Sequence, residues 1–426
     1  MVLLGKIRIQ KSRLCGTVSM PPSKSAAHRA IICAALAKGK SIISPVDLSN
    51  DIKATIECMK KLGADIEFDG KNLMVDGTNT FCNKKVCLDC GESGSTLRFL
   101  IPVCAAGGVN VEFIGHGKLP ERPIGIYLEC LPEKGVECIT QGGLPLEIFG
   151  QLQSGVYRVK GNISSQFITG LLLALPLLNT NSEIILTTDL QSSSYIDMTT
   201  DIMKNFGVYI ERTETGWKIS GGQSYKPQCF TVEGDWSQAA FFMTAAALDG
   251  KITINNLDIN SRQGDKECIE IYKKFGAVIT EDNGNITIEN NILKGIEINA
   301  NNIPDMVPAL AVTAALAEGV TVIKGAERLR IKECDRLAAM ADGLSKLGAV
   351  VEETKDGFII TGVKSLHGGE VKGYNDHRIV MSLAVAATQA DGDVIISDME
   401  SINKSYPGFF EDYRKLGGVA DVIMGE

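Results

Sequence analysis

KKLGADI, residues 60–66, returns five more times along the chain: EKGVECI (133–139), KNFGVYI (204–210), KKFGAVI (273–279), SKLGAVV (345–351) and RKLGGVA (414–420). The shared glycines, Gly63, Gly135, Gly207, Gly276, Gly348 and Gly417, are spaced by 72, 72, 69, 72 and 69 residues. Each copy reads as a helix end, a glycine in the left-handed cap position, and an alternating apolar strand. Isolated helix-to-strand corners are common, but they do not recur at one period. The chain is built of six repeats.

A second signature lies between these copies. AALAKGKSII (34–43), TAAALDGKITI (244–254) and AALAEGVTVI (314–323) are alanine-rich helix ends followed by a turn and another strand. Each repeat of about 70 residues therefore holds two helices and several strands. Gly39 and Gly250 open corresponding units 211 residues apart, which makes two halves of three repeats. A first domain over residues 20–230 leaves residues 231–426, which fall 15 residues short of 211. The strand-like segment 1–19 supplies the missing piece, so the second domain is expected to be discontinuous, 1–19 with 231–426. The expected fold class is α/β (α+β), two similar domains with a small-molecule site in the cleft between them.

Composition bounds the function. Of 426 residues, 44% are hydrophobic and 22% charged, ordinary for a soluble globular protein. With 43 Lys+Arg against 51 Asp+Glu the net charge is −8, which argues against a nucleic-acid partner. A small basic cleft in an acidic body, focusing anionic substrates, remains open. The opening MVLLGKIRIQKSR has no long apolar stretch, and KIRIQ reads as a strand rather than a signal peptide. FITGLLLALPLL (167–178) is too short to span a membrane and reads as a buried helix. No membrane association is expected, and the compartment is expected to be the cytoplasm. Twelve cysteines are scattered, and only Cys87 and Cys90 form a CxxC. One pair leaves a tetrahedral zinc site half empty, so reduced, packed thiols are expected and no metal.

Several segments carry charge where a plain core needs none. PPSKSAAHRAII (21–32) puts Lys24 and Arg29 at a helix start that already bears partial positive charge. YNDHRIV (374–380) does the same with Asp376, His377 and Arg378. GESGSTLRF (91–99) reads as a backbone nest suited to an anion, without the Lys-Ser/Thr end of a nucleotide-binding loop. GNISSQF (161–167) sets two serines and a glutamine before an apolar helix, where a cap requires only one. Asp305 in IPDMVPA heads another apolar helix, for which a helix-terminal acid is the plain explanation. Lys332, Glu333, Asp335 and Arg336 crowd one turn of LRIKECDRL (329–337), with a solvated face as the alternative. The basic candidates Lys24, Arg29, Arg122, Lys332, Arg336, Arg378 and Lys404 come from both halves. A helix N-terminus with a fixed cation is a phosphate or carboxylate site. Seven like charges around one site should repel by roughly 2–4 kcal/mol per close pair until anionic substrates neutralise them.

Together SKSAAHR, RPIG (122–125), SSQF, SYID (194–197), IPD, KECDRL, NDHR and the lysine before SYP resemble the 5-enolpyruvylshikimate-3-phosphate synthase family of enolpyruvyl transferases. The resemblance covers the whole chain and implies a six-repeat inside-out barrel of βαβαββ-type units. It implies a transferase of chorismate and aromatic amino acid biosynthesis. The enolpyruvyl group of phosphoenolpyruvate would pass to the 5-hydroxyl of shikimate 3-phosphate, with release of phosphate. By resemblance, Lys24, Ser25, Arg29, Ser164, Ser165, Gln166, Ser192, Asp305 and Lys332 would hold shikimate 3-phosphate. Lys24, Gly94, Arg122, Gln166, Arg336, Arg378 and Lys404 would hold phosphoenolpyruvate. Asp305 would be the base toward the 5-hydroxyl and Glu333 the proton donor to the methylene carbon, with Lys24 and His377 beside them as catalytic residues. No cofactor is implied, and a monomer is expected.

The chain departs from the family at Glu92, where Asn is frequent, and at Arg328, where some members have Asn. The alternative acceptor is a UDP-sugar, as in UDP-N-acetylglucosamine enolpyruvyl transferase. That sister enzyme uses a cysteine in the loop before the conserved arginine, and GHGKLPER here has none. A non-catalytic relative that binds anions or processes RNA ends fits poorly with the net charge and with Asp305 and Glu333.

Overall fold

The computed structural model describes residues 5–282 and 284–423. The six glycines of the repeat all have left-handed backbone, with φ between 79° and 113°. Each ends a helix or helical turn and feeds the last strand of a four-stranded sheet. An L side chain there would cost roughly 1–2 kcal/mol, so the glycine is a structural requirement at each copy.

Among the described residues six four-stranded sheets result, all of one pattern. A parallel pair is followed by two antiparallel neighbours. In the first, Cys229–Thr231 runs parallel to Lys40–Ser44, which pairs antiparallel with Leu73–Asp76, and that strand with Asp65–Phe68. The chain forms two compact units, Pro22–Val232 and Met1–Pro21 with Glu233–Glu426. Each holds three of the sheets and its own apolar core.

The terminal strands complete sheets begun elsewhere. Lys6–Gln10 lies between Val394–Ile396 and Val419–Ile423, antiparallel to both, with Ile7 opposite Ile396 and Val422. Cys15–Ser19 runs parallel to Lys251–Asn255, Gly16 opposite Ile252. Alternation sets these registers: Ile7 and Ile9 are fully buried while their neighbours are not.

The helices of the first unit are α1 (Lys24–Leu36), α2 (Asn50–Leu62), α3 (Gly94–Ala106), α4 (Gly125–Cys130), α5 (Ser165–Ala174) and α6 (Ser193–Asn205). Those of the second are α7 (Trp236–Asp249), α8 (Cys268–Phe275), α9 (Val307–Leu316), α10 (Arg336–Lys346), α11 (His377–Ala387) and α12 (Phe409–Lys415). α1, α3 and α5, like α7, α9 and α11, are apolar on all sides. From Ala26 to Leu36, and throughout α11, every residue is buried. A helix with no polar face must be enclosed, so these six are the inner helices of their units. α2 and α8 are amphipathic and pack outside them.

The stretch 167–178 differs in one respect from a single buried helix. α5 stops at Ala174, and Leu175–Leu177 continues as a 3-10 turn. Pro176 has no N–H to donate, which removes a hydrogen bond from a continuing α-helix.

Candidate active site

In the unit 22–232 the polar side chains gather at the starts of the inner helices. Ser23 caps α1 by accepting from the Ala26 N–H, which places Lys24 in its first turn. The Lys24 ammonium meets the Asp51 carboxylate, in the first turn of α2, at 2.6 Å. Arg29, one turn on, is buried. It donates from Nε to Thr199 Oγ1 (2.7 Å), and from its Nη atoms to the Ser25 carbonyl (2.7 Å) and the Tyr195 carbonyl (3.2 Å). Its guanidinium also lies 5.0 Å from the Phe99 ring centre. Burial in these surroundings lowers its pKa to about 10.

α3 begins at Gly94, capped by Ser93, and α5 begins at Ser165, capped by Ser164. Gln166 joins the two helices. Its Nε2 donates to Ser95 Oγ at 2.9 Å, and its Oε1 accepts from Arg98 Nη1 at 2.6 Å. The two serines and the glutamine therefore divide the work: Ser164 caps, and Gln166 locks α5 to α3. Arg122 follows the 3-10 turn Leu119–Glu121, and its guanidinium covers Gly94. Ser192 is buried, with a left-handed backbone (φ 56°), immediately before α6.

The second unit holds a cluster of alternating charge. Arg336 Nε donates to Asp376 Oδ2 (2.7 Å), its Nη1 to Asp305 Oδ1 (3.0 Å) and its Nη2 to Glu333 Oε2 (2.7 Å). Arg378 donates to Ser237 Oγ (2.9 Å), to the Asp305 carbonyl (2.8 Å) and to Asp305 Oδ2 (3.3 Å). Lys332 lies 3.6 Å from Asp305 Oδ1. The starts of α7, α9 and α11 are tied together by these bonds. Asp376 caps α11, accepting from the Arg378 N–H, and follows two left-handed non-glycine residues, Tyr374 and Asn375. Backbone of that kind persists only where its surroundings over-determine it. Lys404, also buried, donates to the Asn375 carbonyl. His377 is buried at the first position of α11, its Nδ1 3.9 Å from Asp376 Oδ1.

The side chains of Asp305 and Glu333 are 19% and 15% exposed, whereas Arg336 is 2% exposed. The acids thus offer an edge to a ligand while the arginine stands behind them. Burial pushes the Asp305 carboxyl up, but Arg378, Lys332 and Arg336 together outweigh it and hold Asp305 well below the usual carboxylate range.

Asp305 is therefore not a plain helix-terminal acid, and KECDRL is not a solvated face. For four of the seven cations the expected repulsion is also corrected. Asp51, Asp305, Glu333 and Asp376 already neutralise Lys24, Arg336, Arg378 and Lys332. A buried charge is costly unless it is paired or well hydrogen-bonded. At the departures, Arg328 donates to the Asn301 carbonyl at 2.5 Å. The Glu92 carboxylate lies against Gly117, where a Cβ would clash with it. Sequence reasoning did not single out Asp51, Arg98 or Ser237. Arg98 carried a signal, a lone charge inside an apolar helix; Asp51 and Ser237 carried none.

The comparisons with known proteins bear on this arrangement. The family model described as EPSP synthase (3-phosphoshikimate 1-carboxyvinyltransferase) matches residues 9–413. A 3-phosphoshikimate 1-carboxyvinyltransferase of Clostridium perfringens is 51% identical over 419 residues, covering 97% of this chain and 99% of its own length. One from Clostridium acetobutylicum is 46% identical and covers 99% of both. A solved structure of EPSP synthase from Acinetobacter baumannii superposes with a TM-score of 0.83 at 28% identity, covering 98% of this chain and 100% of that one. With the family model spanning nearly the whole chain and half the residues shared with a curated relative, this protein belongs to the EPSP synthase (3-phosphoshikimate 1-carboxyvinyltransferase) family.

Proposed function

We propose that Asp305 and Glu333 carry the proton transfers of the family reaction, on substrates held by the cations around them. The chain is an enzyme that transfers the carboxyvinyl (enolpyruvyl) group to 3-phosphoshikimate in the shikimate pathway. The observation that carries the site assignment is Asp305, a partly accessible carboxylate in contact with Arg378, Arg336 and Lys332.

The acceptor hydroxyl adds to C2 of phosphoenolpyruvate while C3 takes a proton, and loss of a methyl proton then expels phosphate. A C–O bond forms to the acceptor, the C–O bond to phosphate breaks, and the hydroxyl proton ends in the released phosphate or solvent. Asp305 accepts the hydroxyl proton and Glu333 delivers the proton to C3 and later removes one. As the structure stands, both are paired with Arg336, and its charge with those of Arg378 and Lys332 makes Asp305 a weak base. Phosphate and carboxylate groups of phosphoenolpyruvate competing for Arg336, Arg378 and Lys404 release both acids for these roles. Lys24 and Arg122 supply fixed positive charge for a substrate phosphate or carboxylate. Ser164, Ser165, Gln166 and Ser192 serve the shikimate phosphate.

Twelve free thiols, most of them not exposed, support a cytoplasmic location. No helix among the described residues is long and apolar enough to cross a membrane. Phosphate release on mixing the protein with phosphoenolpyruvate and shikimate 3-phosphate tests the reading. Release with a UDP-sugar acceptor instead would overturn it.

A further inference from the structure

Behind the Lys24–Asp51 pair runs a second rung. His28 is one turn beyond Lys24 on α1, and Thr55 one turn beyond Asp51 on α2. His28 Nδ1 lies 2.7 Å from Thr55 Oγ1, and Thr55 Oγ1 lies 2.7 Å from Thr96 Oγ1 on α3. Thr96 donates through its hydroxyl to Ser93 Oγ at 2.7 Å and through its N–H at 3.2 Å. All four side chains are fully buried. The chain crosses three helices and stops at Ser93, the cap immediately before Gly94.

The direction of the bonds follows from that end. Ser93 Oγ accepts the Thr96 hydroxyl proton, so Thr96 Oγ1 accepts from Thr55, and Thr55 Oγ1 accepts from His28. His28 must then carry its proton on Nδ1. Nε2 keeps a lone pair, and it has no hydrogen-bond partner among the described residues. Burial first, then Lys24 and Arg29, lower the basicity of this imidazole, which holds it neutral. Nothing in the established reaction uses this histidine, yet a buried polar group in an apolar helix is costly unless it is satisfied.

We infer that His28 is a positioning residue: through Thr55 and Thr96 it fixes Ser93, and with it the backbone of Gly94 and the seat of Arg122. This rests on the phosphoenolpyruvate reading of Gly94 and Arg122. Of the shikimate-phosphate serines, Ser25 lies on α1 and Ser164, Ser165 and Ser192 at the starts of α5 and α6, and none of them is a link in the chain of bonds. Loss of the chain should therefore act on one substrate and not the other.

His28→Leu keeps volume and removes the donor; His28→Asn keeps a donor at similar reach. In a folded His28→Leu enzyme the KM for phosphoenolpyruvate should rise at least tenfold, with kcat and the KM for shikimate 3-phosphate within threefold. His28→Asn should restore the KM to within threefold of wild type. Thr55→Val breaks the next link, should reproduce the effect, and should add nothing to His28→Leu in the double variant, since both cut one network. If His28→Leu does not fold, Thr55→Val decides alone. A readout independent of turnover is the tautomer: at pH 7, long-range 1H–15N spectra should show one of the four histidines as neutral Nδ1–H, absent from His28→Asn. An Nε2–H tautomer, or an unchanged KM in Thr55→Val, overturns the inference. Failure of the wild-type protein to use shikimate 3-phosphate would instead overturn the reading beneath it, leaving the tautomer to decide the bond chain.

Discussion

Gly94 lies against Arg122 so closely that a Cβ on it would fall 2.9 Å from Cζ and from both Nη atoms of the guanidinium. The contact is with the far end of a flexible side chain, so a methyl group there displaces Arg122 rather than the backbone. Gly94→Ala should leave stability within about 1 kcal/mol of wild type. It should raise the KM for phosphoenolpyruvate roughly tenfold or more, because small displacements of a positioning group are costly. Steady-state kinetics beside thermal unfolding check this. An unchanged KM would place phosphoenolpyruvate away from this pair.

Asp305→Asn keeps the shape of the side chain and removes its negative charge. The expected outcome is a fall in kcat of roughly 10²-fold or more, as for loss of a general base, with binding of shikimate 3-phosphate retained. Single-turnover kinetics with a binding isotherm separate the two. Normal kcat would remove Asp305 from the mechanism.

The same carboxylate should mark the acid limb of stability. Burial opposes its charge, but Arg378, Lys332 and Arg336 hold its folded pKa well below the usual value. In the unfolded chain it titrates near ~3.9. Its contribution is present above that value and is lost as pH falls from there through the lower folded pKa. Urea unfolding between pH 3 and pH 6, a window set around ~3.9, should show a steeper fall for wild type than for Asp305→Asn. Parallel curves would show that the cations do not stabilise the ionised form.

Arg336 is the hub of three carboxylates and is 2% exposed. Arg336→Met leaves Asp376, Asp305 and Glu333 facing one another without it. Breaking a buried pair from one side costs about 3–5 kcal/mol, so denaturant unfolding should show a loss of that order. Phosphoenolpyruvate binding should be lost as well. A loss below about 1 kcal/mol would mean that the acids take up protons at little cost.

What the sequence carried by itself is local. A glycine before each edge strand, a period near 70, and helices apolar on every side are short-range demands of backbone conformation and of water. They suffice for six repeats, two units and a terminal segment that returns to the second. The motif residues were legible for the same reason: charge at the head of an apolar helix is unexplained by the helix alone. Partnership was not legible. Asp376 and Arg336 are 40 residues apart, Arg378 and Ser237 are 141, and Arg98 and Gln166 are 68. No spacing rule joins residues on different helices. The tertiary structure decided that Lys24, Lys332, Arg336 and Arg378 would each already have an acid, while Arg29 and Lys404 are held by carbonyls and hydroxyls. A buried charge is costly unless a counter-charge or hydrogen-bond partners lie within a few ångströms. Only packing determines which acid is that near.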